Sequence, residues 1–353
     1  MGRDFMKKKA PGTPPLSMVW EDLMFINFSI DPDRLQKMLP QGMEVDLFEK
    51  KAFITIAPLT MKGFAFKKIS TFFNPSFYEC NLRTYVRVHG KAGVYFFSLD
   101  AASLFEVLGA RALFHLNYRY RKIRFSLKKE LFRFEMSRTT SRKETTLIEA
   151  KIAKEKQPHD PLTSFISDRS SYFVINKTHI YEGKVFHAPW KFQKVQELKL
   201  QTDLLKGYKT APEISAIYAK HTVVEADFIQ PSFNPILFYD QNCGLCSLAV
   251  RSLMVLDLYR YLRFAPLEGE TYAKFFKAPP KKDRLYLVED TGKSDGAIAL
   301  LNLLDYLPWF TGIFTIFKMV PVKTLQHWYD WVASRRKQCP LKPKQLKDDR
   351  CLP

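Results

Sequence analysis

Two cysteines three residues apart carry the clearest chemical signal in the sequence. Cys243 and Cys246 stand in the run Cys-Gly-Leu-Cys, shortly after the continuous apolar segment Ile236–Tyr239. Such a segment predicts a strand buried on both faces. A helical pattern starts at Cys243, so we expect the pair at a strand-to-helix junction. A CxxC pair in that position is typical of thiol–disulfide exchange or of metal binding.

The expected helix N-terminus favours the redox chemistry. The first N–H groups of a helix lack internal partners, and the helix dipole places partial positive charge there. Both stabilise a thiolate at Cys243, which is therefore the expected nucleophile. Cys246 lies one helical turn further on the same face and can resolve a mixed disulfide. Gly244 leaves room for a partner's backbone, and Asp240 is expected to cap the helix or to accept a proton.

A zinc site is the competing interpretation of the cysteines. It would need Cys339 and Cys351 as a second knuckle, but they are twelve residues apart with prolines nearby, which does not fit. We predict no metal, and no cofactor besides the cysteine pair. Cys339 and Cys351 remain open as free tail thiols or as a thiol relay to the pair, and Cys80 is expected to be a small buried residue.

Composition and charge narrow down the class of protein. The 353 residues are 46% hydrophobic, enough for packed domains, and no apolar run is long enough to span a membrane. A membrane-surface role for the aromatic residues of 309–317 is a minority interpretation. The net charge of +19 is spread along the chain without a nucleic-acid motif, so nucleic acid is not an expected partner. The N-terminus lacks a secretory signal, so a cytoplasmic protein is expected, in which cysteines stay reduced.

A change of composition near residue 230 predicts two domains. Before it, many strand candidates and few helices indicate a closed or sandwiched β-structure. After it, strands and helices alternate in α/β order. The predicted organisation is a flexible arm over 1–17, a β-barrel domain over 18–229, a linker with two prolines over 230–235, an α/β domain over 236–339 and a basic tail over 340–353.

Several polar residues of the first domain are candidates for a barrel pocket. They are Glu79, Arg83, Asp100, Arg111 and His115. Glu79, Asn81 and Arg83 alternate along one expected strand, so their side chains should share a face. The favoured interpretation is a set of buried ion pairs that ties strands to a helix. The alternative is a pocket for a small anionic or carbonyl ligand held by Arg83 and Arg111.

The C-terminal segment resembles a known redox family. Residues 237–246, Leu-Phe-Tyr-Asp-Gln-Asn-Cys-Gly-Leu-Cys, are similar to the opening signature of the DCC family of thiol–disulfide oxidoreductases, and the similarity continues through 262–267, 294–297 and 329–336. The resemblance implies a thioredoxin-like fold in which Cys243 and Cys246 are the working residues. Gln241 stands where the family usually has glycine.

The first domain resembles the family called domain of unknown function 2071, which has an acetoacetate-decarboxylase-like barrel. The match rests on residues 39–46, 81–86, 94–100 and 109–113. Acetoacetate decarboxylases use a Schiff-base lysine beside a second lysine. That pair aligns near Tyr118 and Arg119, and arginine cannot form the Schiff base. Decarboxylation is therefore not expected.

Together these features predict a mainly-β acetoacetate-decarboxylase-like barrel followed by an α/β thioredoxin-like domain. The expected function is thiol–disulfide oxidoreduction on an unidentified thiol or disulfide substrate. The barrel is expected to bind a small molecule or to supply a second activity. The alternative function is a small-molecule-binding barrel protein whose cysteines are regulatory or inert.

Overall fold

The computed structural model describes residues 15–66, 76–104, 107–108, 116–137, 145–176, 179–211, 215–281, 284–290, 292–307, 316–317, 319–336 and 348–353. The chain divides into two compact units, Met1–Gln230 and Pro231–Pro353. We call them the N-terminal unit and the C-terminal unit. Within the described part of the chain, none of the helices combines the length and apolar character needed to cross a bilayer.

The N-terminal unit is built mainly from strands. They are β1 Leu16–Ile30, β2 Glu44–Val45, β3 Ala52–Phe66, β4 Ser76–Val88, β5 Lys91–Ala101, β6 Tyr118–Tyr120, β7 Lys122–Lys128, β8 Leu131–Ser137, β9 Thr145–Lys156, β10 Ser171–Asn176, β11 His179–His187, β12 Phe192–Thr202 and β13 Ser215–Ala226. A two-residue strand, β14 (Gln230–Pro231), follows at the boundary of the units. Two helices lie wholly within the described residues of this unit, α1 Pro32–Gln36 and α2 Pro161–Ser167.

Seven strands close into a barrel. Neighbouring strands pair in the order β11-β10-β5-β4-β3-β1-β13, and the end of β13 returns to pair with β11. The pairing of β5 with β10 is parallel, whereas β11 and β13 are antiparallel. This closure confirms the expected mainly-β barrel.

The same sheet continues beyond the barrel wall. The first half of β13 pairs with β12, and the order continues through β9, β8 and β7, which we call the extension sheet. As a result, alternate residues of β1 pack into two different hydrophobic cores. Leu23 and Phe25 belong to the cluster inside the barrel, while Met24 and Ile26 belong to a cluster that also includes Phe132 of the extension sheet. The period-two alternation of side chains along a strand explains the division.

Local sequence explains several connections. The turn between β4 and β5 is His89-Gly90, and both residues have positive φ, +49° and +78°. That geometry is typical of a two-residue hairpin turn and suits glycine. Asp31 caps α1 by accepting a 2.8 Å hydrogen bond from the N–H of Arg34, with Pro32 as the first helical residue.

The C-terminal unit alternates strands and helices. Its elements are β15 Ile236–Tyr239, α3 Gly244–Leu256, β16 Arg263–Pro266, α4 Glu270–Phe275, β17 Tyr286–Glu289, β18 Gly292–Asp295, α5 Gly296–Leu303 and α6 Val322–Arg335. The sheet order is β16-β15-β17-β18. β15 and β16 are parallel, and the other two pairings are antiparallel.

The last residues of the chain pack against β16. The N–H of Phe264 donates to the carbonyl of Arg350 at 2.9 Å, and the N–H of Leu352 donates to the carbonyl of Phe264 at 2.7 Å. The buried guanidinium of Arg350 lies 3.3 Å from a carboxylate oxygen of Asp257, which has no exposed side-chain surface. Residues 348–353, the end of the stretch expected as a basic tail, are therefore part of the folded unit.

Candidate functional site

The cysteine pair lies where β15 passes into α3. A short turn separates the two elements, and the carboxylate of Asp240 accepts a 2.9 Å hydrogen bond from the N–H of Asn242 within it. Cys243 is the N-cap residue of α3, because its Sγ accepts a 3.3 Å hydrogen bond from the N–H of Cys246. The expected strand-to-helix junction is thus present. The cap is Cys243 itself, so Asp240 does not cap the helix.

The two sulfurs have different surroundings. Cys243 is 9% exposed and Cys246 is 7% exposed, so access to the pair is narrow. The sulfur of Cys243 faces the N–H of Cys246 at the N-terminus of α3. Burial, followed by the hydrogen bond and charge of Cys243, raises the pKa of Cys246 to about 12. Cys246 is therefore held as a protonated thiol. Gly244 is buried as the first helical residue.

Arg336, the residue that follows α6, contacts the cysteine pair. Its Nη1 lies 3.5 Å from Cys246 Sγ, and its Nη2 lies 3.9 Å from a carboxylate oxygen of Asp240. The guanidinium side chain is only 6% exposed. Sequence reasoning missed this residue. Its only signal was its place in the segment 329–336 that resembles the redox family.

Tyr329 belongs to the same neighbourhood. Its hydroxyl oxygen accepts a 2.8 Å hydrogen bond from the N–H of Leu285, the residue before β17. Burial raises the pKa of Tyr329 to about 12, and the nearby Cys246 sulfur adds to this shift, while Arg336 opposes it. The contact ties α6, which carries Tyr329, to the strand beside β15.

The barrel candidates separate into two groups. Glu79 and Arg83 share the inner face of β4 with Asn81, since their neighbours in the cross-strand register, Ala101 and Leu99, lie in the interior cluster. The predicted common face is therefore observed. Asp100 points to the opposite side of β5, where it lies 3.2 Å from Arg119 Nε and 3.1 Å from Arg121 Nε. The structure does not bring it to Arg83, and Arg111 and His115 lie outside the described residues.

Glu79 is a buried carboxyl inside the barrel. One oxygen accepts a 2.7 Å hydrogen bond from the hydroxyl of Tyr118, and the other accepts a 3.4 Å hydrogen bond from Asn81 Nδ2. Burial raises the pKa of Glu79 to about 7 although both hydrogen bonds oppose the shift. Near neutral pH this carboxyl can hold or release a proton.

The other described cysteines, Cys80 and Cys351, each have their own surroundings. Cys80 is fully buried on β4, as expected, and burial raises its pKa well above the ordinary range. Cys351 forms a backbone bridge with Phe264, while Cys339 lies outside the described residues. Among the residues that the structure describes, no group of three or more His, Cys, Asp or Glu side chains is arranged to hold a metal ion.

Comparisons with known proteins add two families and several neighbours. Residues 237–342 match the family described as DCC1-like thiol-disulfide oxidoreductase. The uncharacterized protein YqjF of Bacillus subtilis (strain 168) is 29% identical over 215 residues, which cover 58% of this chain and 87% of YqjF.

Solved structures also align with this chain at low identity. The acetoacetate decarboxylase of Legionella pneumophila is 12% identical with a TM-score of 0.47, over 64% of this chain and 92% of that one. The enduracididine biosynthesis enzyme MppR complexed with pyruvate is 12% identical with a TM-score of 0.47, over 64% of this chain and 93% of that one. The DUF2071 family model, described as an uncharacterized conserved protein, matches residues 17–223. Because this match spans more than half of the chain, the protein belongs to the DUF2071 family, and it carries a DCC1-like region at its C-terminus.

Proposed function

We propose that the C-terminal unit catalyses thiol–disulfide exchange, with Cys243 as the nucleophile and Cys246 as the resolving thiol. The observation that carries the proposal is the position of Cys243 Sγ at the N-terminus of α3, where it accepts the N–H of Cys246. The DCC1-like match supports the same chemistry. The sheet order β16-β15-β17-β18, with a parallel β-α-β arm and an antiparallel β-β arm followed by a helix, supports a thioredoxin-like fold.

The exchange proceeds in two displacements. The Cys243 thiolate attacks one sulfur of a substrate disulfide, so a Cys243–substrate disulfide forms and the other substrate sulfur leaves as a thiolate that takes up a proton. Cys246 then loses its proton and attacks Cys243 Sγ. The substrate's second thiol is released, and a Cys243–Cys246 disulfide remains. Two electrons pass from the pair to the substrate.

The second displacement needs help because Cys246 is buried. In the reduced pair the pKa of Cys246 is about 12. Burial is the largest cause, and it persists in the mixed disulfide, so little of Cys246 is a thiolate at pH 7. The Arg336 guanidinium, 3.5 Å from Cys246 Sγ, stabilises the negative charge as it forms. Asp240, whose carboxylate lies 3.9 Å from Arg336, is the proposed proton acceptor. The activity is assigned to the cytoplasm, where CxxC pairs are more often catalytic than structural.

Trapping the mixed disulfide tests the proposal. The reduced full-length protein is mixed with hydroxyethyl disulfide, and the adducts are mapped by mass spectrometry. Cys246→Ser should accumulate an adduct on Cys243, because nothing resolves it. Cys243→Ser should form almost no adduct on Cys246, because Cys246 is buried. Cys80→Ser is the matched control and should behave as wild type. Equal adduct formation in Cys243→Ser and Cys246→Ser would contradict the assigned roles.

Small-molecule binding by the barrel is a second candidate function. The observation that favours it is a pair of buried polar atoms inside the barrel, Asn81 Oδ1 and Arg83 Nε, without hydrogen-bond partners among the described residues. If the cysteines reacted only after denaturation, the barrel would carry the function and the pair would be inert.

A further inference from the structure

A row of polar side chains runs along the inner face of β4. Glu79, Asn81 and Arg83 occupy successive inward positions of this strand. Asn81 is 6% exposed and Arg83 is 9% exposed, so both are removed from bulk water. The inside of the barrel is otherwise lined mainly by apolar and aromatic side chains. Polar groups in such a place need partners, because burial without hydrogen bonds is unfavourable.

Arg83 is a buried cation with few partners. Its Nη2 donates a 3.0 Å hydrogen bond to the carbonyl of Ile166 in the last turn of α2, and its guanidinium lies 4.5 Å from the ring centre of Phe25. Nε has no hydrogen-bond partner among the described residues, and none of their carboxylates forms an ion pair with Arg83. Buried charges in proteins are paired as a rule. A buried guanidinium without a carboxylate partner is suited to binding an anion.

Asn81 is also incompletely satisfied. Its Nδ2 donates to Glu79, whereas its Oδ1 has no partner in the part of the chain that the structure describes. Another polar side chain in the same interior, Thr55, does have hydrogen-bond partners. Thr55 donates to Asn27 Oδ1 at 2.8 Å, and the Thr55 hydroxyl also lies 2.8 Å from the Tyr85 hydroxyl. Asn81 Oδ1 and Arg83 Nε differ from this hydrogen-bonded group, because neither has a partner among the described residues.

We propose that the barrel interior binds a small hydroxycarboxylic acid, with its carboxylate on Arg83 and its hydroxyl on Asn81. The Nε edge of a guanidinium is suited to bidentate contact with a carboxylate. Successive inward positions of a strand are about 7 Å apart, a distance that the two side chains and a molecule of a few carbons can bridge. A hydroxyl both donates and accepts, so it suits the Asn81 amide in either orientation.

Neighbouring side chains fit this ligand. Because burial raises the pKa of Glu79 to about 7, this carboxyl is largely protonated below neutral pH and repels an anion less than an ionised one would. The ring centres of Phe25 and Tyr85 lie 4.5 Å and 5.7 Å from the Arg83 guanidinium, so a molecule bound to Arg83 would also meet aromatic side chains. The site lies in the N-terminal unit, and it does not depend on the cysteine chemistry.

Calorimetric titration of the full-length protein tests the site. The probes are lactate, propionate, which lacks the hydroxyl, and inorganic phosphate. We expect lactate to bind about fivefold tighter than propionate, since one neutral hydrogen bond is lost. Arg83→Gln should weaken lactate at least about thirtyfold, because the charge is lost. Arg124→Gln, an exposed arginine of β7, is the matched control and should leave binding unchanged.

Two further variants keep the test decisive if Arg83→Gln does not fold. Arg83→Lys keeps the charge but loses the Nε edge, so lactate should weaken about tenfold. Asn81→Ala should make lactate and propionate bind equally. The proposal is overturned if the wild type binds none of the probes, if phosphate binds tighter than both carboxylates, if either Arg83 variant binds lactate as the wild type does, or if Asn81→Ala retains the preference for lactate.

Discussion

At Cys246 and at Glu79, burial decides the protonation state of a side chain that can do chemistry. Burial raises the pKa of Cys246 to about 12 and that of Glu79 to about 7. In both cases the charged form is disfavoured because it is removed from water. Only one of the two has a cation beside it, since Arg336 contacts Cys246 while Glu79 has neutral hydrogen-bond donors. The two groups therefore respond differently to substitution of their neighbours.

Glu79→Gln should change how stability depends on pH. In the unfolded chain this carboxyl ionises near pH 4.5, and in the folded protein near pH 7. The folded state therefore binds more protons between these values, and the free energy of unfolding should fall as pH rises through this window, by up to about 3 kcal/mol. Glutamine does not ionise, so the variant should lose this decline. Urea unfolding at pH 4.5 and pH 8 measures it.

A control separates Glu79 from the other acids. Glu135→Gln changes an exposed glutamate of β8 and should keep the wild-type decline. A Glu79→Gln protein whose stability declines with pH as steeply as that of the wild type would show that this carboxyl does not titrate in the window.

Arg336→Gln should prolong the mixed disulfide. Without the guanidinium the pKa of Cys246 rises further, because the Arg336 charge is the cause that lowers it. If the thiolate fraction of Cys246 falls about tenfold, the resolving attack becomes about tenfold slower. Its rate–pH profile then shifts to higher pH. The measurement is the decay of the hydroxyethyl adduct on Cys243, quenched at intervals over a range of pH.

The adjacent arginine provides the control. Arg335 is exposed and packs over the ring of Trp331 at 4.0 Å, so Arg335→Gln should leave the decay and its pH profile unchanged. Arg336→Lys should lie between the wild type and Arg336→Gln. If Arg336→Gln altered only the melting temperature and not the pH profile, its role would be structural.

At the scale of elements, residues 348–353 lie beside β16, joined to it by an isolated backbone bridge between Cys351 and Phe264. The buried contact of Arg350 with Asp257 anchors them. Arg350→Met leaves Asp257 buried without its cation, although the N–H groups of Tyr261 and Leu262 still donate to it. We expect a loss of about 3 kcal/mol in the free energy of unfolding of the C-terminal unit. Urea unfolding checks this loss.

Arg260→Met is the matched comparison for that element. Arg260 is half exposed and pairs with Asp348 and Asp349 at the surface. Exposed ion pairs contribute less than about 1 kcal/mol, so this variant should be close to wild type. Equal losses of unfolding free energy in the two variants would mean that burial of the Arg350–Asp257 pair adds nothing to stability.

Elements with strong local patterns could be predicted, and those without could not. The apolar run of β15, the Asp-Pro start of α1 and the glycine turn between β4 and β5 each depend on neighbours in sequence. The short strand β18, Gly292–Asp295, has no apolar alternation, and only its antiparallel pairing with β17 makes it a strand. Helix α4 is equally hard to predict, because its six residues show too little of the helical period.

At the scale of the whole molecule, each unit has its own hydrophobic core. The barrel unit has clusters inside the barrel and under the extension sheet, and the C-terminal unit has a cluster on each face of its sheet. We therefore expect two unfolding transitions in urea, because each core melts cooperatively. Arg350→Met should move one of them, and Glu79→Gln should change the pH dependence of the other. A single transition that shifts with both variants would contradict this expectation.

The sequence by itself determined the features that depend on a few adjacent residues. These include the cysteine pair at a strand-to-helix junction, the division near residue 230, and the shared face of Glu79, Asn81 and Arg83. Only the tertiary structure decided which distant groups meet. Arg336 comes to Cys246 across 90 residues, and β13 closes the barrel on β11. Local patterns set periodicity and capping, whereas contacts between distant segments depend on how whole sheets and helices pack.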